Sequence, residues 1–179
     1  LRDVTLQAAR SRIGLVTQDV HLFNASVRDN LTLFDPTVPD AQVRTVLNTL
    51  GLSDWLGELP HGLDTVIGAG GIGLSAGQAQ VLACARIFLR DPDVVILDEA
   101  SSRLDPATER LLERAVGRLL QGRSAIIIAH RLGTVQRADT IMILERGRVA
   151  ELGPRATLAS DPGSRFAALL RTGLEEVLA

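Results

Sequence analysis

Two short runs of apolar, largely β-branched residues constrain this chain more than anything else in it. Val94-Val95-Ile96-Leu97 is followed at once by Asp98-Glu99, and Ala125-Ile126-Ile127-Ile128-Ala129 by His130. Each run has the length of one strand and reads as a strand buried on both faces, the pattern of a parallel sheet. Between them, Asp105-Pro106 supplies an N-cap and a proline for the first helical position. Leu111, Leu112, Ala115, Val116, Leu119 and Leu120 then form one apolar stripe, with Arg110, Arg114 and Arg118 off it. A strand, a helix and a second strand in one sheet make a right-handed crossover between parallel strands. The class this predicts is α/β with a mainly parallel sheet.

The remaining elements follow from the same periods. Residues 12–16 read as a short strand ending at Thr17-Gln18-Asp19, and residues 40–50 as a helix with Val43, Val46, Leu47 and Leu50 on one face, stopped by Gly51. Residues 53–59 form a second short helix carrying Trp55, and the glycine-rich residues 61–73 read as a loop. Ser75 is the N-cap of a helix running to about Leu89, closed by Asp91-Pro92. Residues 140–144 and 149–152 make a hairpin, and the tail from Pro154 onward is helical, with Phe166, Leu169 and Leu170 facing inward. No repeat or linker interrupts this order, so the chain is one domain or part of one.

Composition narrows the function classes. The chain has 179 residues, 46% hydrophobic and 22% charged, which excludes a disordered segment. A formal net charge of −2 offers no strongly basic face, so no nucleic-acid partner is expected. No apolar run approaches the ~18–20 residues a membrane helix requires. The single cysteine, Cys84, rules out an internal disulfide, and its apolar neighbours mark it as a buried small hydrophobe. His21 and His61 read as surface residues. All 19 basic residues are arginine, so no activity that needs a lysine is complete within these residues. With Leu1 at the start and Met142 the sole methionine, the expectation is a piece of a longer protein.

The chemistry concentrates where strands end. In open α/β sheets, ligands sit beyond the carboxyl ends of the strands. The crossover therefore brings Asp98, Glu99 and His130 to one edge: an acid for a divalent cation, an acid for a water, and an imidazole. That set suits phosphoryl transfer to water with Mg²⁺, although Asp98 capping a turn beside a solvated Glu99 fits the same pair. Leu74-Ser75-Ala76-Gly77-Gln78 opens a helix with small residues that leave backbone N–H groups open to an anion; an ordinary N-cap fits it too. Gly68-Ala69-Gly70-Gly71-Ile72-Gly73 matches G-x-G-x-x-G, but the helix begins after the glycines, so a dinucleotide site is rejected.

Taken in order, Gln18, Leu74 to Gln78, Val94 to Glu99, Ser102-Arg103-Leu104-Asp105 and His130 closely resemble the nucleotide-binding domain of ABC transporters, over essentially the whole chain. The resemblance implies a partial P-loop NTPase domain, its carboxyl-terminal portion. Residues 19–90 would be the helical signature part, 91–153 the Walker B and switch-histidine core, and 154–179 the terminal helices. It implies ATP and Mg²⁺ as cofactors. Glu99 would be the catalytic base and His130 the switch histidine on the γ-phosphate. Asp98 would hold the metal, and Gln18 would reach Mg²⁺ through water. Ser75, Ala76, Gly77 and Gln78 would form the signature, and Asp105 would belong to the D-loop.

The implied partners are a second ATPase domain, docked head-to-tail, and a transmembrane domain at the cytoplasmic face of the plasma membrane. Leu22-Phe23-Asn24-Ala25-Ser26-Val27-Arg28-Asp29-Asn30-Leu31 resembles the exporter segment after the Q-loop. A soluble ABC-type ATPase of DNA repair or translation and a non-catalytic module of the same fold are the alternatives.

Departures from the pattern carry their own expectations. The G-x-x-x-x-G-K-[ST] loop is absent, so these residues alone are expected not to hydrolyse ATP. Ala76 replaces a usual signature glycine and narrows the backbone's approach to a phosphate. Because the sites are shared, the partner's nucleotide would feel it, and a heterodimer with unequal sites is expected. Ala69 stands where exporters often carry a glutamate, and Arg103 where alanine is common.

Overall fold

The computed structural model describes residues 4–17, 20–68, 70–98, 106–129, 135–136 and 138–172, the side chain of residue 107 apart. The chain divides into two compact units, Leu1–Ile126 and Ile127–Ala179.

The first unit is built on strands β1 (Ile13–Val16) and β4 (Val94–Asp98), which pair in parallel from Ile13↔Val94 to Val16↔Leu97. β5 (Ser124–Ile128), which runs across the unit boundary, flanks β4 on its other side. Asp93 stitches the three amino ends together: its N–H donates to Arg12 O at 3.0 Å and its carbonyl accepts from Ser124 N–H at 3.2 Å. The strands therefore start at one edge, as the crossover predicts. Helix α5 (Ala76–Arg90) packs on β1 and on α6 (Pro106–Leu120), burying Val81, Leu82, Cys84, Ala85, Leu112, Ala115 and Leu119 with Val16. α5 approaches so closely that a Cβ on Gly14 would lie 2.4 Å from Ile87 Cγ2. The predicted stripe on α6 is the buried one, with Arg110, Arg114 and Arg118 exposed.

One expectation fails here. The strands are not buried on both faces: β4 alternates half-buried and buried residues, and Leu15, Ile126 and Ile128 are exposed. α5 covers the side of Gly14 and Val16, and alternate residues of a strand point away from it. Apolarity states which face a residue prefers, not what reaches it.

The helical part contains α1 (Leu6–Arg12), α2 (Val27–Thr32), α3 (Asp40–Thr49) and α4 (Ser53–Glu58), plus a 3-10 turn at Gly62–Asp64. Leu31, Val43, Leu47, Leu50, Leu52 and Leu63 form its core. Arg28 ties three of these segments, donating to both Asp40 oxygens at 2.6 and 2.7 Å and to Asp64 at 2.9 Å. The described part of residues 61–73 holds more regular structure than the loop its glycines suggest. β3 (Val66–Ile67) pairs antiparallel with β2 (Ala25–Ser26), because the interspersed Leu63, Thr65 and Ile67 are buried.

In the second unit, β6 (Thr140–Glu145) and β7 (Arg148–Pro154) form the predicted hairpin, followed by α7 (Arg155–Ser160) and α8 (Arg165–Thr172). Val135 and Phe166 are buried among Ile141, Ile143, Leu158 and Leu170. Glu151 caps α8: it accepts from the Phe166 and Arg165 amides at 2.9 and 3.0 Å and from Ser164 Oγ at 3.0 Å.

Candidate nucleotide site

Two neighbouring strands deliver the sheet-edge part of the site. Because Val16 pairs with Leu97 in parallel, the chain leaves β1 toward Gln18 beside the point where β4 ends in Asp98. Asp98 is half-buried at that carboxyl edge, where open parallel sheets bind ligands. Gln18, Glu99, Asp105 and His130 lie outside the described residues, as do Ala69 and Arg103. Among the described residues, no group of three or more His, Cys, Asp or Glu could hold a metal. Asp98 is thus a lone carboxylate among the described residues at this edge, and a hard cation there would need its remaining oxygens from phosphate and water.

The second part is the start of α5. Ser75 adopts an extended conformation, and its hydroxyl accepts from Gln78 N–H at 3.2 Å. Gln78 Oε1 in turn accepts from Ser75 N–H at 3.0 Å, closing a capping box. The N-cap expected at Ser75 is therefore present, and Gln78 spends its carbonyl on its own helix. Ala76 and Gly77 donate to no group among the described residues. Ser75 and Ala76 are exposed while Gly77 is buried. An exposed helix start with open N–H groups is suited to an anion such as a phosphate. The glycines before it do other work: a Cβ on Gly71 would lie 2.2 Å from Val66 O. Ile72 N–H donates to Val66 O at 3.0 Å beside that glycine, and α5 begins only at Ala76, after the glycines.

Cys84 is buried, and burial pushes its thiol up to about 12, so it is inert as a nucleophile. His21 and His61 are exposed as expected.

Periodicity did not reveal the polar hub that ties α5 to α2 and the residues before it. Asn30 on α2 is fully buried. Its Nδ2 donates to Phe23 O at 2.9 Å, Ser26 O at 3.1 Å and Ala25 O at 3.3 Å. Its Oδ1 accepts from Phe23 N–H at 2.8 Å and from Arg86 Nη2 at 3.1 Å. Arg86, on α5, also donates from Nε to Asn30 O at 2.7 Å and from Nη1 to His21 O at 3.0 Å. The one sequence signal was an arginine inside the apolar run of α5, since a half-buried cation needs partners.

The pattern of ABC transporters matches residues 1–102, more than half of the chain. The chain belongs to the ABC transporter family. Its α/β fold with a parallel sheet is that of the P-loop NTPases, and ATP binding is the family's property. An ATP-dependent lipid A-core flippase of Burkholderia orbicola is 42% identical over 90% of the chain. The alpha-hemolysin translocation ATP-binding protein HlyB of Proteus vulgaris is 42% identical over 88%. An ABC transporter ATP-binding protein of Sinorhizobium fredii, y4gM, is 42% identical over 91%. The chain spans only 27%, 22% and 28% of those three proteins. No helix among the described residues is long and apolar enough to cross a membrane.

Proposed function

We propose that this chain is the carboxyl-terminal portion of an ATP-hydrolysing domain that powers an ABC exporter. The observation that carries this reading is the parallel β1–β4 register, which sets the strand leading to Gln18 beside the one ending in Asp98. Exporter names among the relatives support it, as does the exporter-like segment from Leu22 to Leu31. A bound Mg²⁺ would supply charge neutralisation at the nucleotide phosphates. Asp98 would hold that ion and Gln18 would reach it through water. Glu99 would orient the attacking water, and His130 would stabilise charge on the γ-phosphate. Ser75, Ala76 and Gly77 would present the start of α5 to the nucleotide of a second ATPase domain, with Asp105 at the same junction. The methyl group of the exposed Ala76 would narrow that approach and make two sites unequal in a heterodimer. The membrane-spanning partner would sit at the cytoplasmic face of the plasma membrane.

The test has two arms. The purified 179-residue chain, which has no lysine, is expected to show no saturable Mg²⁺-dependent ATP turnover. The same chain fused behind the amino-terminal part of a relative's ATPase domain, phosphate loop included, is expected to turn over ATP, and Glu99→Gln to abolish it. A fused protein no faster than its Glu99→Gln form would end the ATPase reading. Turnover by the 179 residues alone, lost on Glu99→Gln, would end the claim that they are inactive.

A further inference from the structure

We infer that the crevice between α3 and α4 binds a small organic carboxylate. It measures about 420 Å³, within the size range of small-molecule sites, and is lined by Arg44, Thr45, Asn48, Ser53, Leu56 and Gly57. None of these residues is among those assigned to ATP. The walls are fixed from beneath. Leu47, Leu50 and Leu52 are buried at the turn joining the two helices, and Leu52 N–H donates to Leu47 O at 2.8 Å. Across the turn, Ser53 Oγ donates to Asn48 Oδ1 at 2.9 Å and ties one wall to the other. A site formed before its ligand arrives avoids the cost of ordering its walls on binding.

The groups left unspent in those walls select the ligand. Thr45 donates its hydroxyl proton to Ala41 O at 2.8 Å, and the Asn48 carbonyl is taken by Ser53. What remains are donors: the Asn48 amide N–H groups and the Arg44 guanidinium, which has no acidic partner among the described residues. Arg28 and Arg118, by contrast, are committed to Asp40 and Asp64 and to Thr49 O. A planar fork beside an amide donor matches a carboxylate. Leu56, buried on α4, gives the floor an apolar part for the ligand's body. Asp54 and Glu58 are exposed on the same helix but do not line the crevice.

Gly57 is an independent sign. Glycine inside a helix destabilises it, yet a Cβ here would meet nothing within 4 Å, and φ lies outside the left-handed region. Neither packing nor backbone requires this glycine. Its missing side chain leaves the crevice open.

The test titrates sodium isovalerate into the 179-residue chain at neutral pH and constant ionic strength, followed by amide NMR. The Asn48 side-chain and Gly57 backbone resonances should move along one saturating curve. Isovaleramide, uncharged and of the same shape, should bind roughly tenfold more weakly or worse, as should isovalerate to Arg44→Gln. Arg148 is an exposed arginine on the hairpin, and Arg148→Gln should leave the affinity unchanged. Gly57→Ala should raise the urea midpoint and still weaken isovalerate binding, a loss that unfolding cannot explain. Shifts that never saturate, equal binding of isovaleramide, or full affinity in Arg44→Gln would show adventitious association only and overturn the inference. Equal weakening in Arg148→Gln would do the same. So would a Gly57→Ala chain with a lower midpoint, whose glycine then serves the fold, or one with unchanged affinity.

Discussion

Gly14 shows how far a single residue can dictate packing. It carries no side chain because α5 passes directly over β1, and a methyl group there would lie 2.4 Å from Ile87 Cγ2 and 3.0 Å from Pro92 Cγ. Ile87 is branched at Cβ and buried, so its Cγ2 methyl cannot swing aside. Gly14→Ala should cost about 1–3 kcal/mol, the usual penalty for overpacking, and urea unfolding followed by circular dichroism would measure it. In the sequence, Gly14 is only a glycine in a short strand. Ser75 was legible, because a serine before a helical period is a cap wherever it occurs. The reciprocal bond, from Ser75 N–H to Gln78 Oε1, depends on the same local spacing. Asn30 and Arg86 could not be read as a pair, since 56 positions separate them and only folding brings them together.

Among the elements, α8 depends most on one distant group. Burial favours the neutral acid of Glu151, but the Phe166 and Arg165 amides and the Ser164 hydroxyl outweigh it and hold the carboxyl below its ordinary value. A depressed carboxylate contributes stability above its unfolded pKa and loses it as pH falls through the folded one. The start of α8 should therefore loosen as pH drops below the ordinary value of 4.5, with faster exchange at the Ala167 and Ala168 amides. Glu151→Gln should loosen it at neutral pH and flatten that dependence. The helix itself was legible from Phe166, Leu169 and Leu170 at helical spacing. Its cap was not, because the carboxylate comes from the hairpin rather than from the residues just before the helix. The same division holds for residues 61–73: their glycines announced turns, while β3 forms only because β2 is there to pair with it.

For the molecule as a whole, the apolar residues left outside are as informative as those inside. Met142, Leu144, Val149 and Leu152 are 52%, 60%, 55% and 62% exposed. The hairpin register pairs Met142 with Leu152 and Leu144 with Val149, so the four share its outer face. An exposed apolar patch of this kind binds hydrophobic dyes. The 179-residue chain should bind anilinonaphthalene sulfonate, and Met142→Thr with Leu152→Thr should reduce the binding in a fluorescence titration while preserving the strands. By itself the sequence determined the α/β class, the positions of most elements and the acidic end of β4. Each of those follows from local periodicity, caps and the handedness of a crossover. Tertiary structure alone decided which sheet face is covered, that β1 is the parallel neighbour of β4, and that Arg86 grips the segment beyond Gln18. Those outcomes depend on contacts between residues far apart in the chain, and no local pattern encodes which distant surface will arrive.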